Sequence, residues 1–208
     1  MKTKDRILLV STDLFNKNGV VAMTTNHVAK ALGISPGNLY FHFANKEEII
    51  RSIFKNMAQQ TYQLWKTKPN SRVKHPIKVI IENFEIFWQY RFLHREMYYL
   101  RKKDPLLNNL WKAHLQKTLR LMTVSYKRWW KKGWMVPIED AEEIDFLINI
   151  LLSTASTFLY FFESVDRAPA RNHLYYAQKH VARLLLPYSA GAMREDFEQF
   201  VDGRLKFD

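Results

Sequence analysis

The spacing of apolar residues constrains this chain more than any other feature. Hydrophobic side chains recur every three or four positions over nearly its whole length, the period that gathers them on one face of an α-helix. Nowhere do they alternate with polar residues as a half-buried strand requires. Only six glycines and seven prolines interrupt 208 residues, so the breaks between helices are few and readable. The fold class is all-α, and a chain of this length with 47% hydrophobic residues can bury a sizeable core.

The breaks come closest together at the start. A helix over about 4–18 places Ile7, Leu8, Val10, Leu14 and Phe15 on one side and stops at Asn18-Gly19. Thr24 and Thr25 offer an N-cap for a short helix ending at Leu32-Gly33, with Val28, Ala29 and Leu32 inward. Ser35 caps a third, with Pro36 in its first turn and Leu39 and Phe43 as its inward i, i+4 pair. Asn45 then caps a long helix carrying Ile49, Ile50, Ile53, Phe54, Met57, Thr61, Leu64 and Trp65, with Glu47 and Glu48 in its positive first turn. A functional boundary falls near residue 46, dividing a domain over 1–46 from one over 47–208, with a looser structural break near residue 70. Further helices are expected at about 76–93, 94–102, 105–132, 138–163, 170–187 and 194–201.

The run FLINILLSTASTFLYFF, from Phe146 to Phe162, holds 17 consecutive uncharged residues. A membrane span needs about 20 predominantly apolar residues, and this run contains Asn149, Ser153, Thr154, Ser156 and Thr157. Acids at 139, 140, 142, 143 and 145 precede it without a basic anchor. It reads as a helix buried on all sides, in a core or a subunit interface, and no membrane partner is expected. The absence of cysteine excludes disulfide scaffolds and thiolate chemistry. The charged start, Met1 to Arg6, lacks the apolar core of a signal peptide. A cytoplasmic location is the expectation.

The net charge of +12 suggests an anionic partner, and it is unevenly spread. Residues 1–60 carry +4, residues 61–132 carry +13 and residues 133–208 carry −5. Charge alone cannot distinguish nucleic acid, a membrane surface and an acidic ligand.

The segment TTNHVAKALGISPGNLYFHFANKEEI, Thr24 to Ile49, narrows the choice. Short helix, glycine turn and short helix form the arrangement in which a second helix enters a DNA major groove, about 12 Å wide, while the first crosses the backbone. Thr24-Thr25, Val28-Ala29, Leu32-Gly33-Ile34-Ser35, Gly37, Leu39-Tyr40, His42-Phe43 and Lys46-Glu47 together resemble the TetR family of bacterial transcriptional regulators. The resemblance covers about residues 5–55. With Leu39 and Phe43 inward, helical steps of about 100° put Gly37 and Phe41 on the outer face and Asn38, Tyr40 and His42 on its flanks. Gly37 there allows close backbone approach, Asn38 can bond to a base edge or phosphate, and Phe41 can touch a thymine methyl. Hydroxyls and helix N-termini at Thr24, Thr25, Ser35 and Pro36, with Lys46, suit phosphates. The resemblance adds Tyr40 and His42 on the phosphate side. Their alternative is packing within the bundle, and that of Thr24 or Thr25 a plain helix cap.

The resemblance implies an N-terminal three-helix DNA-binding domain joined by a long helix to a larger ligand-binding and dimerisation domain. It implies a homodimer on a palindromic operator, formed through helices near 139–163 and 170–187, the latter with a stripe of Leu174, Ala177, Gln178, Val181, Ala182 and Leu185. It also implies a pocket for a small hydrophobic or amphipathic effector. Candidate lining residues are Phe84, Phe87, Trp88, Tyr98, Trp111, His114, Met122, Tyr126, Phe158 and Phe162, each of which can equally be plain core. Inward-turned Lys and Arg would favour an anionic amphipath, a solvated basic face would not. The expected function is repression relieved by an effector. An activator or partner-controlled regulator, and a membrane-surface binder, are the alternatives. No phosphate loop, metal-ligand pair or nucleophile motif suggests an enzyme, and no cofactor or metal is expected.

Overall fold

The computed structural model describes residues 2–66, 72, 74–166 and 171–205, with the side chains of residues 159, 160, 162, 163, 166 and 171 outside that set. Among the described residues there are ten α-helices and no strand, only an isolated bridge between Met135 and Ser189. The helices are α1 (Thr3–Asn18), α2 (Thr25–Leu32), α3 (Pro36–His42), α4 (Lys46–Trp65), α5 (Pro76–Gln89), α6 (Arg91–Lys103), α7 (Pro105–Lys131), α8 (Ala141–Asp166), α9 (Arg171–Leu185) and α10 (Ala192–Val201). No helix among the described residues is long and apolar enough to cross a membrane.

The chain packs as two compact units, one of residues 1–59 and 89–112, the other of residues 60–88 and 113–208. In the first unit α1, α2, α3 and most of α4 are joined by α6 and the start of α7. Its core holds Ile7, Phe15, Val28, Leu39, Phe43, Ile49, Ile53, Phe54 and Phe92. The helix expected to run to residue 93 ends at Gln89 instead. Asn16, a buried residue of α1, donates from Nδ2 to Gln89 O at 2.8 Å and accepts from Phe92 N on Oδ1 at 3.0 Å. One side chain thus terminates α5 and starts α6, and this splits the sequence segment between the two units.

The second unit has its own core, built from the end of α4 and from α5, α7, α8, α9 and α10. The loop after α7 is held by Val136 N donating to Tyr188 O (2.7 Å) and Ala190 N to Trp134 O (2.9 Å). The neutral run on α8 is not surrounded on all sides within this chain. Leu147, Ile148, Leu151, Ala155 and Phe158 face the core, while Phe146, Ile150, Ser153, Thr157 and Phe161 form an exposed stripe at helical spacing. On α9 the stripe Leu174, Ala177, Gln178, Val181, Ala182 and Leu185 is buried in this unit's own core, and the outward face carries Tyr176, Arg183 and Leu184.

Candidate nucleic-acid interface

Local capping sets the reading element. Thr24 Oγ1 accepts from His27 N (3.3 Å) and His27 Nδ1 accepts from Thr24 N (3.2 Å), a reciprocal box that starts α2. Gly33 ends α2 at φ +67°, a left-handed conformation that favours glycine, and Ile34 N donates back to Ala29 O at 3.1 Å. Ser35 Oγ accepts from Asn38 N (3.2 Å), with Pro36 as the first residue of α3. Leu39 and Phe43 are buried, so the phase of α3 is fixed by its core contacts.

That phase presents Pro36, Gly37, Asn38, Tyr40 and Phe41 to solvent. Phe41 is 84% exposed, with the half-buried His42 ring edge-on to it at 5.2 Å. A Cβ built on Gly37 would meet only Ser35 Oγ, at 3.9 Å. Nothing within the protein requires a glycine there. Tyr40 Oη and Thr25 Oγ1 lie 3.0 Å apart and share one hydrogen bond, which leaves the second hydroxyl hydrogen for an external acceptor. Thr24, by contrast, uses its hydroxyl as a cap. Lys46 Nζ donates to Val20 O and Met23 O, both at 2.9 Å, pinning the turn before α2 and keeping one N–H in reserve.

Several contributors were not read from sequence. His27 closes a capping box whose usual partner is Glu or Gln, so the pattern hides it. Arg51 on α4 donates to Asp104 Oδ2 at 2.6 Å, while Asp104 Oδ1 accepts from Leu106 N and Leu107 N to cap α7. The end of α6 brings Lys102 over the Tyr98 ring and Lys103 over the Tyr99 ring, at 4.9 and 5.3 Å. Lys46 and Lys103 line one groove of about 280 Å³ in this unit.

In the second unit a small cavity of about 40 Å³ is lined by Trp65, Ile80, Asn83, Phe84, Met122, Tyr126, Trp129, Ile148, Leu151, Leu152, Ala155, Val181 and Leu185. Of the ten residues expected around a pocket, Phe84, Met122 and Tyr126 are in its wall. Phe87 and Phe158 are buried in the surrounding core, and Trp88 packs against that core half-buried. His114 is buried off the cavity, 3.2 Å from Tyr62 Oη. Burial, with Lys117 nearby, lowers its pKa to about 4, and burial raises that of Tyr62. Tyr98 and Trp111 belong to the first unit, Tyr98 exposed and Trp111 against Phe54 with Arg101 over its ring. The Phe162 side chain lies outside the described residues.

Known proteins agree with this arrangement. A family model described as bacterial regulatory proteins of the tetR family matches residues 7–53, and one described as a bacterial transcriptional repressor, TetR, matches residues 44–197. The regulator QacR of Staphylococcus aureus is 41% identical over 66 residues, 32% of this chain and 35% of QacR. UidR of Escherichia coli is 39% identical over 51 residues, 24% of this chain and 26% of UidR. The matched stretches thus span about a third and a quarter of those relatives. A TetR-family regulator from Marinobacter aquaeolei superposes with a TM-score of 0.85 at 27% identity, over 99% of this chain and 100% of that one. With one family model over the three short helices and another continuing through most of the second unit, the chain belongs to the TetR family of bacterial transcriptional regulators.

Proposed function

We propose that this protein is a repressor that holds a palindromic operator as a homodimer and releases it when a small molecule occupies the second unit. The observation that carries the DNA-reading half is the exposed Gly37–Phe41 face of α3, where the absence of a side chain and an 84% exposed aromatic ring fit a groove and fit nothing inside the protein. Asn38, Phe41 and the backbone at Gly37 would reach base edges. Thr25, Tyr40, Ser35, His42 and the remaining Lys46 N–H would reach phosphates, and Thr24 would contribute by fixing the start of α2.

One such helix reads only a few base pairs, so specificity on a genome requires two related by a dyad. The exposed stripe on α8, apolar at Phe146, Ile150 and Phe161 and small at Ser153 and Thr157, supports self-association, with the outer face of α9 beside it. The cavity supports control by a small molecule rather than by a protein partner alone. Because α4 begins in the first unit and ends at Trp65 in the cavity wall, an occupant would act on the helix that carries Lys46.

The test is selection of bound duplexes from random DNA, with the recovered sequences examined for a palindrome and affinity measured at two salt concentrations. A palindromic site and a negative slope of log K against log salt are expected. Recovery of no sequence, or salt-independent binding, refutes the assignment.

A further inference from the structure

The cavity wall specifies the chemistry of its occupant. None of its lining residues is a lysine, arginine, histidine or acid. The one ionisable lining group, the Tyr126 phenol, is pushed upward in pKa by burial and then by Tyr188 and Glu143, so it stays neutral. An unpaired charge placed among Trp, Phe, Met, Ile and Leu side chains has no partner, and its desolvation is uncompensated. The basic residues of the middle of the chain do not turn into this space, so the chain offers an anionic amphipath no counter-ion there.

The polar handles in the wall are then nearly all engaged. Trp129 Nε1 donates to Lys74 O at 2.9 Å, and Tyr126 Oη donates to Val136 O at 2.9 Å. Trp65 Nε1 donates to Asn83 Oδ1 at 3.0 Å. That last bond also settles which way the Asn83 amide faces, because an indole N–H only donates and must meet the oxygen. The other end of the amide, Nδ2, is therefore a donor of two hydrogens, and among the described residues no group accepts from it. Asn83 is 92% buried by its 8% exposure, in a wall otherwise apolar. Nδ2 is not among the fully enclosed side-chain atoms that lack a partner, so it keeps an accessible edge from which it can donate. A ligand that brings an oxygen or nitrogen to that edge gains a hydrogen bond.

We propose that this cavity takes a small, uncharged, mainly apolar molecule bearing one hydrogen-bond acceptor, which the Asn83 Nδ2 group receives. The inference rests on the reading that an effector enters the second unit, and adds its chemical class. At about 40 Å³ the cavity is smaller than the roughly 150 Å³ that admits benzene elsewhere. The occupant must open it. Met122, unbranched and in the wall, is the side chain most able to swing aside, and Leu152, half-buried, stands beside it.

The test uses the full-length protein with methyl-labelled methionine and four fluorinated probes of one size: 4-fluoroacetophenone, 4-fluoroethylbenzene, 4-fluorobenzoate and 4-fluorobenzylammonium. Fluorine NMR measures binding, and the Met122 methyl resonance, assigned with M122L, reports its location. The ketone is expected to bind about 3- to 10-fold more tightly than the ethyl compound, the worth of one neutral hydrogen bond. Both ions are expected at least about 100-fold weaker than the ketone. N83L should abolish the preference for the ketone while leaving the ethyl probe bound. M122A should tighten both neutral probes, and keeps the comparison available if N83L does not fold.

An ion that binds at Met122 as well as the ketone overturns the proposal. So does an equal affinity for the two neutral probes, or the failure of both neutral probes to shift the Met122 methyl in wild type and to bind M122A. Release of a selected duplex is measured in parallel. Neutral probes that fill the cavity without releasing DNA uphold the chemical class and refute effector control. A charged compound that releases DNA while the neutral probes bind nowhere does the reverse.

Discussion

Asp104 should show how firmly the first unit is tied together, because its two oxygens do separate work. Oδ1 caps α7 through Leu106 N and Leu107 N at 3.0 and 3.2 Å, and Oδ2 accepts from Arg51 Nη1 at 2.6 Å. Loss of an N-cap carboxylate is worth about 1 kcal/mol. The ion pair lies between the exposed and buried limits, with side chains 20% and 9% exposed for Arg51 and Asp104. Exposed pairs contribute about 0.2–1 kcal/mol and breaking a buried one costs about 3–5, so with Arg51 partly in water about 1–2 kcal/mol is reasonable. D104A should then destabilise the first unit by about 2–3 kcal/mol. R51M, which leaves the cap, should cost about 1–2 kcal/mol, and the double variant R51M/D104A little more than D104A alone. D104N keeps a capping oxygen but turns an amide N–H₂ toward the guanidinium, so it should be no milder than R51M.

Hydrogen exchange read by mass spectrometry assigns the loss to a unit, since peptides from 1–59 and 89–112 should open sooner while those from 113–208 serve as the internal control. A domain of ordinary stability that loses 2–3 kcal/mol remains mostly folded at about 25 °C. Operator affinity should therefore change by less than about twofold while the unit melts earlier. Strict additivity of R51M and D104A would refute the coupling. Equal acceleration of exchange in both units would refute the placement of Asp104 in the first.

F41A removes an 84% exposed ring, so the melting temperature should hold within the equivalent of about 0.5 kcal/mol while operator affinity drops at least about 10-fold; unchanged affinity counts against α3 as the reader. G37A meets nothing closer than 3.9 Å and should stabilise the helix by up to about 1 kcal/mol yet weaken DNA binding, whereas a variant that binds DNA normally would show that no backbone approaches there. For His114, whose pKa falls to about 4 in the folded protein against an ordinary 6.5, the unfolded chain binds the proton first as pH drops, so stability is lost downward through that window. Between pH 7.5 and 5 the wild type should lose about 2 kcal/mol more than H114Q in denaturant titrations, and parallel losses would show that His114 is not buried neutral.

What the sequence disclosed and what it concealed divide by the range of the interactions. The starts of α2, α3 and α4 are set by Thr24, Ser35 and Asn45, and the stop of α2 by Gly33, each acting on neighbours a few residues away, and such signals can be read in order. The break at Tyr90 is set by Asn16, more than 70 positions distant, and the apolar rhythm of 76–93 continues across it without a mark. The cavity was hidden for a similar reason. Residue type selects Phe87, Phe158 and Tyr98 as readily as Phe84 and Tyr126, but the wall is chosen by place. It takes Ile148, Leu151 and Val181, which are indistinguishable in sequence from ordinary core. Asn83 was overlooked because a polar residue within an apolar helix stripe carries no label until its partner, Trp65, is known.

The uneven charge has a structural resolution of the same kind. Division by thirds put the excess in the middle of the chain, away from the reading helix. The fold cuts that middle segment at residue 89 and again at 112, and assigns Arg91, Arg95, Arg101, Lys102, Lys103 and Lys112 to the unit that holds α2 and α3. That unit has 14 of the 32 basic residues and only 6 of the 20 acidic ones, a net +8 on 83 residues, against +4 on the other 125. Positive charge is thus about three times as dense where DNA is read, although the helix-turn-helix segment by itself is nearly neutral. Lys102 and Lys103, lying over exposed tyrosine rings at the end of α6, extend the unit's cationic surface beyond the helix-turn-helix. Such charge attracts the phosphate backbone without regard to sequence. On the proposed reading, specificity and attraction would be carried by different parts of one unit: by α3 through contact, and by a segment some 50 residues later through charge. Neutralising K102Q and K103Q together should therefore lower affinity for operator and for unrelated duplex by the same factor and flatten the salt slope, whereas F41A should act on the operator alone.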